Sequence, residues 1–416
     1  MKPESKQECS YENYRAISFQ FIILLGFVSL FGDITYEGAR SVSGPYLAIL
    51  GANAGIVGLV AGLGEFIGYG LRLFSGYLAD RTRRYWILTI TGYGLLLCIP
   101  LIAFSGHWQL VALFLILERM GKAIRTPSRD AILSHATKEV GRGWGFGIHE
   151  AIDQVGAIIG PVMFSMVFFF RGDYRPGFTL LWIPAVLTLA ILMVARLKVP
   201  SPEKLETLVY ETSQNTNQNT RGKNTLPGVF WFYTLFTFLS VSGFAHFQLI
   251  SYHFKVQAVV PDVRIPVLYA IAMGVDALVA LVIGKTYDRI GLISLITIPL
   301  LTVPIPFFAF SHNYIFGLIS IVLWGLVMGI HETIMRAAIA DLIPIHHRGF
   351  AYGIFNTVYG ASWFFGSAIM GQFYGFSIRY VIIFAIVMEI VSIPALFMVK
   401  RSVKLIEEIN KKPPAS

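Results

Sequence analysis

Charge is what this chain has least of. Asp, Glu, Lys and Arg make up 14% of its 416 residues, where a soluble globular chain carries about 25%. Hydrophobic residues reach 55% and mean hydropathy is +0.64. So little charge cannot cover a surface of that size with water-facing groups. A soluble enzyme, a nucleic-acid binder and a disordered chain are excluded. Cysteine is scarce too: Cys9 sits in a polar tail and Cys98 in an apolar run, so no disulfide framework is expected. A Walker loop is missing, so ATP is not the fuel. No H-E-x-x-H or G-x-S-x-G motif occurs, and the adjacent pair His346-His347 is a poor metal geometry within one helix. No catalytic residue, metal or cofactor is expected.

What is there is apolar length. A helix crosses the hydrocarbon core in about 20 residues. Runs near 17–37, 52–78, 85–105, 108–133, 144–170, 177–197, 228–252, 264–285, 291–310, 313–340, 350–374 and 379–399 predict twelve spans. The first follows a tail holding Glu4, Glu8 and Glu12 and continues through Asp33 with no small-residue cleavage site, so it reads as a retained span. An even count puts both termini on one side. With the N-terminus in the cytoplasm, 21 Lys and Arg fall in cytoplasmic segments and 6 in outer ones, Arg40 among the latter, a positive-inside pattern that also accounts for the net charge of +9. A multi-pass cell-membrane protein, in the bacterial inner membrane, is expected.

Composition also divides the chain. The stretch from Lys198 to Pro227 is polar and rich in Asn, Gln and Thr, so it reads as a cytoplasmic linker. The expected units are a six-helix bundle over 1–197, the linker at 198–227, a second bundle over 228–400 and a cytoplasmic tail at 401–416. The halves repeat: Gly76 to Arg81 matches Gly284 to Arg289 at an offset of 208, and Arg142-Gly143, Gly147-Ile148 and Gly160 match Arg348-Gly349, Gly353-Ile354 and Gly366 at 206. A near-constant offset marks an internal duplication. Two parallel halves with a site at their interface is a transporter plan.

These residues resemble the major facilitator superfamily. Gly76, Leu78, Asp80, Arg81 and Arg84 look like its G-x-L-x-D-R-x-G-R-R/K loop, with Arg83 where the family has glycine; the second copy keeps Gly284, Asp288, Arg289 and Gly291. The resemblance implies a gating loop that clamps the cytoplasmic side. Gly147, Gly156, Gly160 and Pro161 resemble the antiporter signature G-x(8)-G-x(3)-G-P-x(2)-G-G, whose last two glycines are Phe164 and Ser165 here. That motif implies export, as in the drug:proton antiporter branch, and an interface between the halves. Glycines at this spacing also simply let two helices touch. Arg119 stands at the position of the family's intramembrane arginine. The expected fold is all-α: twelve transmembrane helices in two pseudo-symmetric six-helix bundles, as a monomer.

A charge at mid-bilayer costs about 2.5–3.5 kcal/mol, so such residues pair or face water. Glu118, Lys122, Arg125 and Arg129 form one helical stripe. His149, Glu150 and Asp153 face them from span five, Glu65 and Arg72 lie in span two, and Asp33 and Glu37 in span one. Proton-coupling candidates are Glu118, Arg119, Asp153, Glu65, Asp33 and Glu37, because a carboxylate held from water can load and release a proton during a cycle. A salt-bridge network is the competing account, and the favoured one for Arg125, Arg129, Asp130 and Arg72. The substrate cavity is expected to draw on Lys122, Arg125, Glu150, His149, Tyr36, His246, Asp276, Tyr359 and Trp363; Tyr69, Phe146, Phe244, Tyr269 and Trp324 are further aromatic wall candidates. Glu389 is a lone deep acid, and Glu332 with Arg336 a helix-internal pair.

Proton-coupled efflux of a small organic solute by alternating access is the expected function, with protons, the solute and the lipid bilayer as partners and no nucleic acid. The alternatives are a proton-coupled importer of a small anion drawn by Lys122 and Arg125, or a facilitator-shaped sensor that transports nothing. An intramembrane enzyme has no nucleophile–base pair to support it.

Overall fold

The computed structural model describes residues 3–140, 142–202, 226–343 and 348–411. Among them the chain is helical, with no strand. Twelve stretches follow one another: α1 (Pro3–Ile49), α2 (Ala54–Thr82), α3 (Tyr85–Phe104), α4 (Trp108–Val140), α5 (Arg142–Arg171), α6 (Arg175–Lys198), α7 (Gly228–Val256), α8 (Arg264–Ile290), α9 (Gly291–Ala309), α10 (Tyr314–Leu342), α11 (Arg348–Phe376) and α12 (Ile378–Lys411). Ten are long and apolar enough to cross a bilayer. The others are α4, whose apolar run is interrupted by Glu118, Arg119, Lys122 and Arg125, and α11, where Gly, Ser, Asn and Gln dilute the hydropathy. Of the residues singled out above, His346-His347 and most of the 198–227 linker lie outside the described residues. So do the side chains of Phe146, Asp288 and Arg336 and the surroundings of Gly147.

Side-chain caps start a helix in each half, and the ends of α2 and α8 are equivalent points. Asn53 Oδ1 accepts the Ile56 N–H at 2.9 Å to start α2, and Asn313 Oδ1 accepts that of Ile315 at 2.8 Å to start α10, each satisfying an orphan donor of the first turn. Arg83 closes α2 in the left-handed region (φ 52°), its N–H on the Ala79 carbonyl at 2.8 Å. Gly291 closes α8, also at positive φ.

Two helices depart from the sequence reading. The first span does not stop at 37 but runs to Ile49. Residues 38–49 look too polar to stay in a bilayer, yet most of their polar side chains find partners inside the bundle. Ser41 and Ser43 donate to the Gly38 and Arg40 carbonyls, and Arg40 pairs with Glu65. Arg40 is therefore a buried intramembrane base, not an outer-loop residue. The second departure is in α7, which breaks at Phe244–His246, where the backbone turns extended. The freed Ala245 carbonyl accepts the Trp324 indole N–H at 3.0 Å. Broken helices survive at membrane depth when neighbours satisfy the freed groups in this way.

The duplication is visible in the packing. α1 packs on α5 as α7 packs on α11, and α2 on α4 as α8 on α10. Gly160 on α5 lies against the Ile34 carbonyl of α1, and its counterpart Gly366 on α11 lies against the Ser242 carbonyl of α7. The first six helices meet the last six along α2–α11, α5–α8 and α1–α7. These seams are tightest away from the chain termini. A Cβ on Gly58 would come within 2.2 Å of the Ser367 carbonyl, one on Gly371 within 2.6 Å of that of Ala54, and one on Gly44 within 2.2 Å of that of Gln248. Only glycine permits such backbone approach. We call this the far end, and the end where α1 begins and α12 stops the terminal end. One apolar core spans both halves. At the terminal end the first half keeps a separate core built around Phe21, Trp86, Ile132 and Leu192.

Candidate functional site

Charged side chains gather where α1, α2, α4, α7 and α8 converge. Glu65 on α2 is the hub. It accepts from Arg119 of α4 and from Nη2 of Arg40 at 3.1 Å, and Nε2 of His246, at the break in α7, stands 3.5 Å from the same oxygen. Glu37 is the second acid: Tyr269 of α8 donates to its Oε2 at 2.6 Å, and Arg40 Nη1 lies 3.7 Å from Oε1. The Tyr36 ring lies beneath Arg119 at 4.5 Å, Lys122 at 4.3 Å and Arg40 at 5.8 Å, so its negative face meets three cations. Glu37, Arg40, Glu65, Arg119 and His246 are all buried. This satisfies the demand that buried charges be paired.

On the terminal side of this layer lies a cavity of about 260 Å³. It is lined by the terminal-end parts of α2, α4, α5, α8 and α10 together with the middle of α1 and Tyr93 of α3. On the far side is a small void of about 30 Å³, bordered by Tyr36, Ser43, Gly64, Glu118, Arg119 and Gln248. Arg40 borders both spaces, so the ionic layer separates them.

The charged stripe on α4 splits into pairs. Arg125 donates to Glu118 at 3.2 Å and lies over Tyr93 at 4.7 Å. Arg129 pairs with Asp130 at 2.9 Å and donates to Ser29 Oγ at 3.0 Å; Ser29 Oγ in turn lies 3.0 Å from His149 Nε2. Arg72 donates to the Gly68 carbonyl at 3.0 Å and covers Tyr69. Of the proton-coupling candidates, Asp33, Glu37 and Asp153 line the larger cavity, Glu118 and Arg119 border the small void, and Glu65 holds the layer between. Of the cavity candidates, Lys122, Arg125, His149, Glu150 and Asp276 line the larger space and Tyr36 the smaller. His246, Tyr359 and Trp363 line neither. They pack on one another instead, His246 on Trp363 at 4.7 Å and Trp363 on Tyr359 at 6.4 Å, with Tyr359 edge-on to Tyr69 at 4.9 Å.

The sequence reading missed Arg40, Ser29, Tyr93 and Gln248. For Arg40 the signal was present: it falls three residues after Glu37, one helical turn on the same face.

The Major Facilitator Superfamily profile matches residues 22–367 and again 265–415. The chain belongs to this superfamily. An uncharacterized protein of Mycobacterium tuberculosis is 39% identical over 385 residues, 92% of this chain and 93% of that protein. An uncharacterized MFS-type transporter of Methanocaldococcus jannaschii is 28% identical over 401 residues, 94% of this chain and 97% of that one. Among solved structures, a bacterial homolog of the human lysosomal transporter Spinster, inward-facing and unoccupied, superposes with TM-score 0.71 at 12% identity, covering 97% of this chain and 99% of that one. The nucleoside transporter NupG gives 0.67 at 12% identity, over 92% and 99%. The protein is thus a multi-pass membrane transporter of facilitator fold, and not an enzyme.

Two facilitator motifs can now be located. In the loop copies, Gly76 touches Pro127 of α4 at ordinary distance, Asp80, Arg81, Arg84 and Arg289 are exposed, and Gly284 meets Thr333 at 3.7 Å. Arg81 donates to the Tyr77 hydroxyl at 3.3 Å. On α5, Gly156 and Gly160 lie against the Leu30 and Ile34 carbonyls of α1. This contact is inside the first half. The expectation that these glycines shape the interface between halves is corrected to the plainer role, close approach of two helices of one bundle. Pro161 follows them inside α5.

Proposed function

We propose that this facilitator moves a small polar organic solute by alternating access, driven by the proton gradient, and exports it in exchange for protons. The observation that carries the reading is the ionic layer. Glu37 of the first half accepts from Tyr269 of the second, and Glu65 stands 3.5 Å from His246 of the second, so a change of charge on either acid acts directly on the contact between the halves. Asp33 on α1 and Asp153 on α5 line the same cavity, so two acids of like charge share one enclosed space. A single proton taken up there relieves their repulsion, and solute or counter-charge entering the cavity competes for the same site. Each elementary charge moved through a potential of about 100 mV supplies about 2.3 kcal/mol.

With both termini in the cytoplasm of a bacterial inner membrane, the glycine seams at the far end close the outer side. The separate terminal-end core of the first half then lets the inner side part while the far end stays shut. In this reading residues 1–197 and 228–400 rock as two units joined by the linker, and the protein works as a monomer. Export as the direction rests on the resemblance of span five to the antiporter signature, not on where its glycines pack.

The test uses everted membrane vesicles holding a pH gradient, interior acid, with a pH-sensitive dye. Adding exported solutes should discharge the gradient, and Asp153→Asn should abolish the discharge while the protein still inserts and folds. Solute-driven acidification of the lumen would replace export with symport. A normal response from Asp153→Asn would remove that residue from the proton path.

A further inference from the structure

The larger cavity has a charge pattern that selects its occupant. Of its twenty lining residues, fifteen are charged or polar and only Ala157, Met273 and Met328 are aliphatic. Seven lining residues are acids and five are bases. Arg40 on α1 and Arg129 with Asp130 on α4 are already paired; the charges left over divide by helix. Lys122 and Arg125 project from α4, whereas Asp33 and Asp153 come from α1 and α5, and Asp276 from α8 of the other half.

Several of these charges have no ion-pair partner. Among the described residues no carboxylate lies within 4.0 Å of Lys122 Nζ, and no base lies within that distance of Asp33, Asp153 or Asp276. Arg125 is 3% exposed, and its Nη1 meets no acceptor among the described residues although Nη2 holds Glu118. Asp153 Oδ1 is likewise buried without a donor. Buried donors and acceptors left unpaired are costly, and a ligand of matching charge would satisfy these two.

We propose that this cavity binds a small hydrophilic zwitterion. Its amine sits among Asp33, Asp153 and Asp276, and its carboxylate or phosphate on Lys122 and Arg125. An anion alone would meet more acids than bases and leave the three aspartates unanswered. A cation alone would leave Lys122 and the free Arg125 donor unanswered. A lipophilic solute would desolvate both sets. The amine also touches both halves, because Asp276 is on α8 and its two companions are on α1 and α5, so occupancy itself favours drawing the halves together at the terminal end.

This inference deepens the transporter reading and rests on it for its role in the cycle, but binding can be read separately. The purified full-length protein is titrated with β-alanine, γ-aminobutyrate, ε-aminocaproate and phosphoethanolamine, each against its matched amine and its matched carboxylate or phosphate ester, at constant ionic strength. At least one zwitterion should raise Tm well beyond both of its matched ions. Lys122→Gln and Asp276→Asn should each weaken that zwitterion about ten-fold or more, and Lys122→Arg should restore most of the affinity. The proposal is overturned if no zwitterion exceeds its matched ions, or if both variants bind the best zwitterion as the parent does. Failure of the transporter reading looks different: zwitterions bind, yet a cysteine at Ser43 in the far-side void never becomes accessible to an impermeant maleimide under any pH gradient.

Discussion

Tyr269 donates its hydroxyl proton to Glu37 at 2.6 Å, joining α8 of the second half to α1 of the first. Glu37 already faces Arg40 of its own helix at 3.7 Å. One carboxylate therefore serves both the internal ion pairs of one bundle and the closure of the two bundles on each other. Beside it, His246 approaches Glu65 from the break in α7. The ionic layer is thus a joint as well as a barrier.

Tyr269→Phe removes the joint and keeps the ring, which packs on Phe247 at 4.5 Å and near Trp324 at 6.2 Å. A hydrogen bond to a charged acceptor contributes about 1.5–3 kcal/mol, and about 1.4 kcal/mol is a ten-fold change in an equilibrium. The variant should fold and shift toward far-end opening. With Cys9 and Cys98 changed to Ser and Ser43→Cys as reporter, maleimide labelling from the far side should rise about ten-fold. Unchanged labelling would mean the bond does not hold the halves.

Glu65→Gln leaves Arg119 and Arg40 facing a neutral amide in a buried layer. Breaking a buried ion pair from one side costs about 3–5 kcal/mol, so Tm should fall sharply. The double variant Glu65→Gln with Arg119→Gln should regain much of that loss, because the stranded charge is gone, yet it should remain inactive in pH-driven flux. If the double variant is no more stable than Glu65→Gln alone, the pairing of Glu65 with Arg119 is not what stabilises the layer.

Much of this site is legible in the sequence because charge within an apolar run is rare and has to be explained. Lys122, Arg125, Asp153 and Asp276 stand out on that ground alone, and all four line one cavity. Apolar length marks ten of the twelve helical stretches in the same way, and α4 and α11 fall short of it. Arg40 was hidden because a hydropathy average treats residues 38–49 as an outer loop, whereas side-chain pairing with Glu65 keeps them in the bundle. The α7 break has no proline to mark it, and the Ala245 carbonyl it frees is capped by Trp324, seventy-nine residues away. Which half a glycine faces is likewise a tertiary property. Gly58 and Gly160 look alike in sequence, and only packing assigns one to α11 and the other to α1.

Arg83 offers a local test. It stands where the facilitator loop pattern has glycine and adopts φ 52°, a region that costs an L-residue about 1–2 kcal/mol. Its side chain is exposed, so little is lost by removing it. Arg83→Gly should stabilise the protein by about 1 kcal/mol, seen as a small rise in Tm, and Gly291→Arg at the matching cap of α8 should lower it. A fall in Tm for Arg83→Gly would mean that the side chain makes a contribution larger than the backbone strain.

Equal clashes at Gly58 and Gly160 should have unequal consequences. A Cβ at Gly58 would meet the Ser367 carbonyl at 2.2 Å, and one at Gly160 the Ile34 carbonyl at 2.4 Å. Both contacts are with backbone, so neither can be relieved by a side-chain rotation. Gly160 presses α5 on α1 within one bundle, where parting the helices disrupts the packing that α1 shares with α5 and α6. Overpacking of this kind costs about 1–3 kcal/mol, and Gly160→Ala should lower Tm accordingly, with no gain in far-side labelling at Ser43→Cys. Gly58 presses α2 on α11 across the seam between bundles, where the clash is relieved if the two halves pivot apart as units. Gly58→Ala should therefore keep a nearly parental Tm and show strong labelling at Ser43→Cys. The reverse pattern, an unfolded Gly58→Ala beside an unaffected Gly160→Ala, would mean that the α2–α11 seam is a fixed part of the core and that the bundles do not separate there.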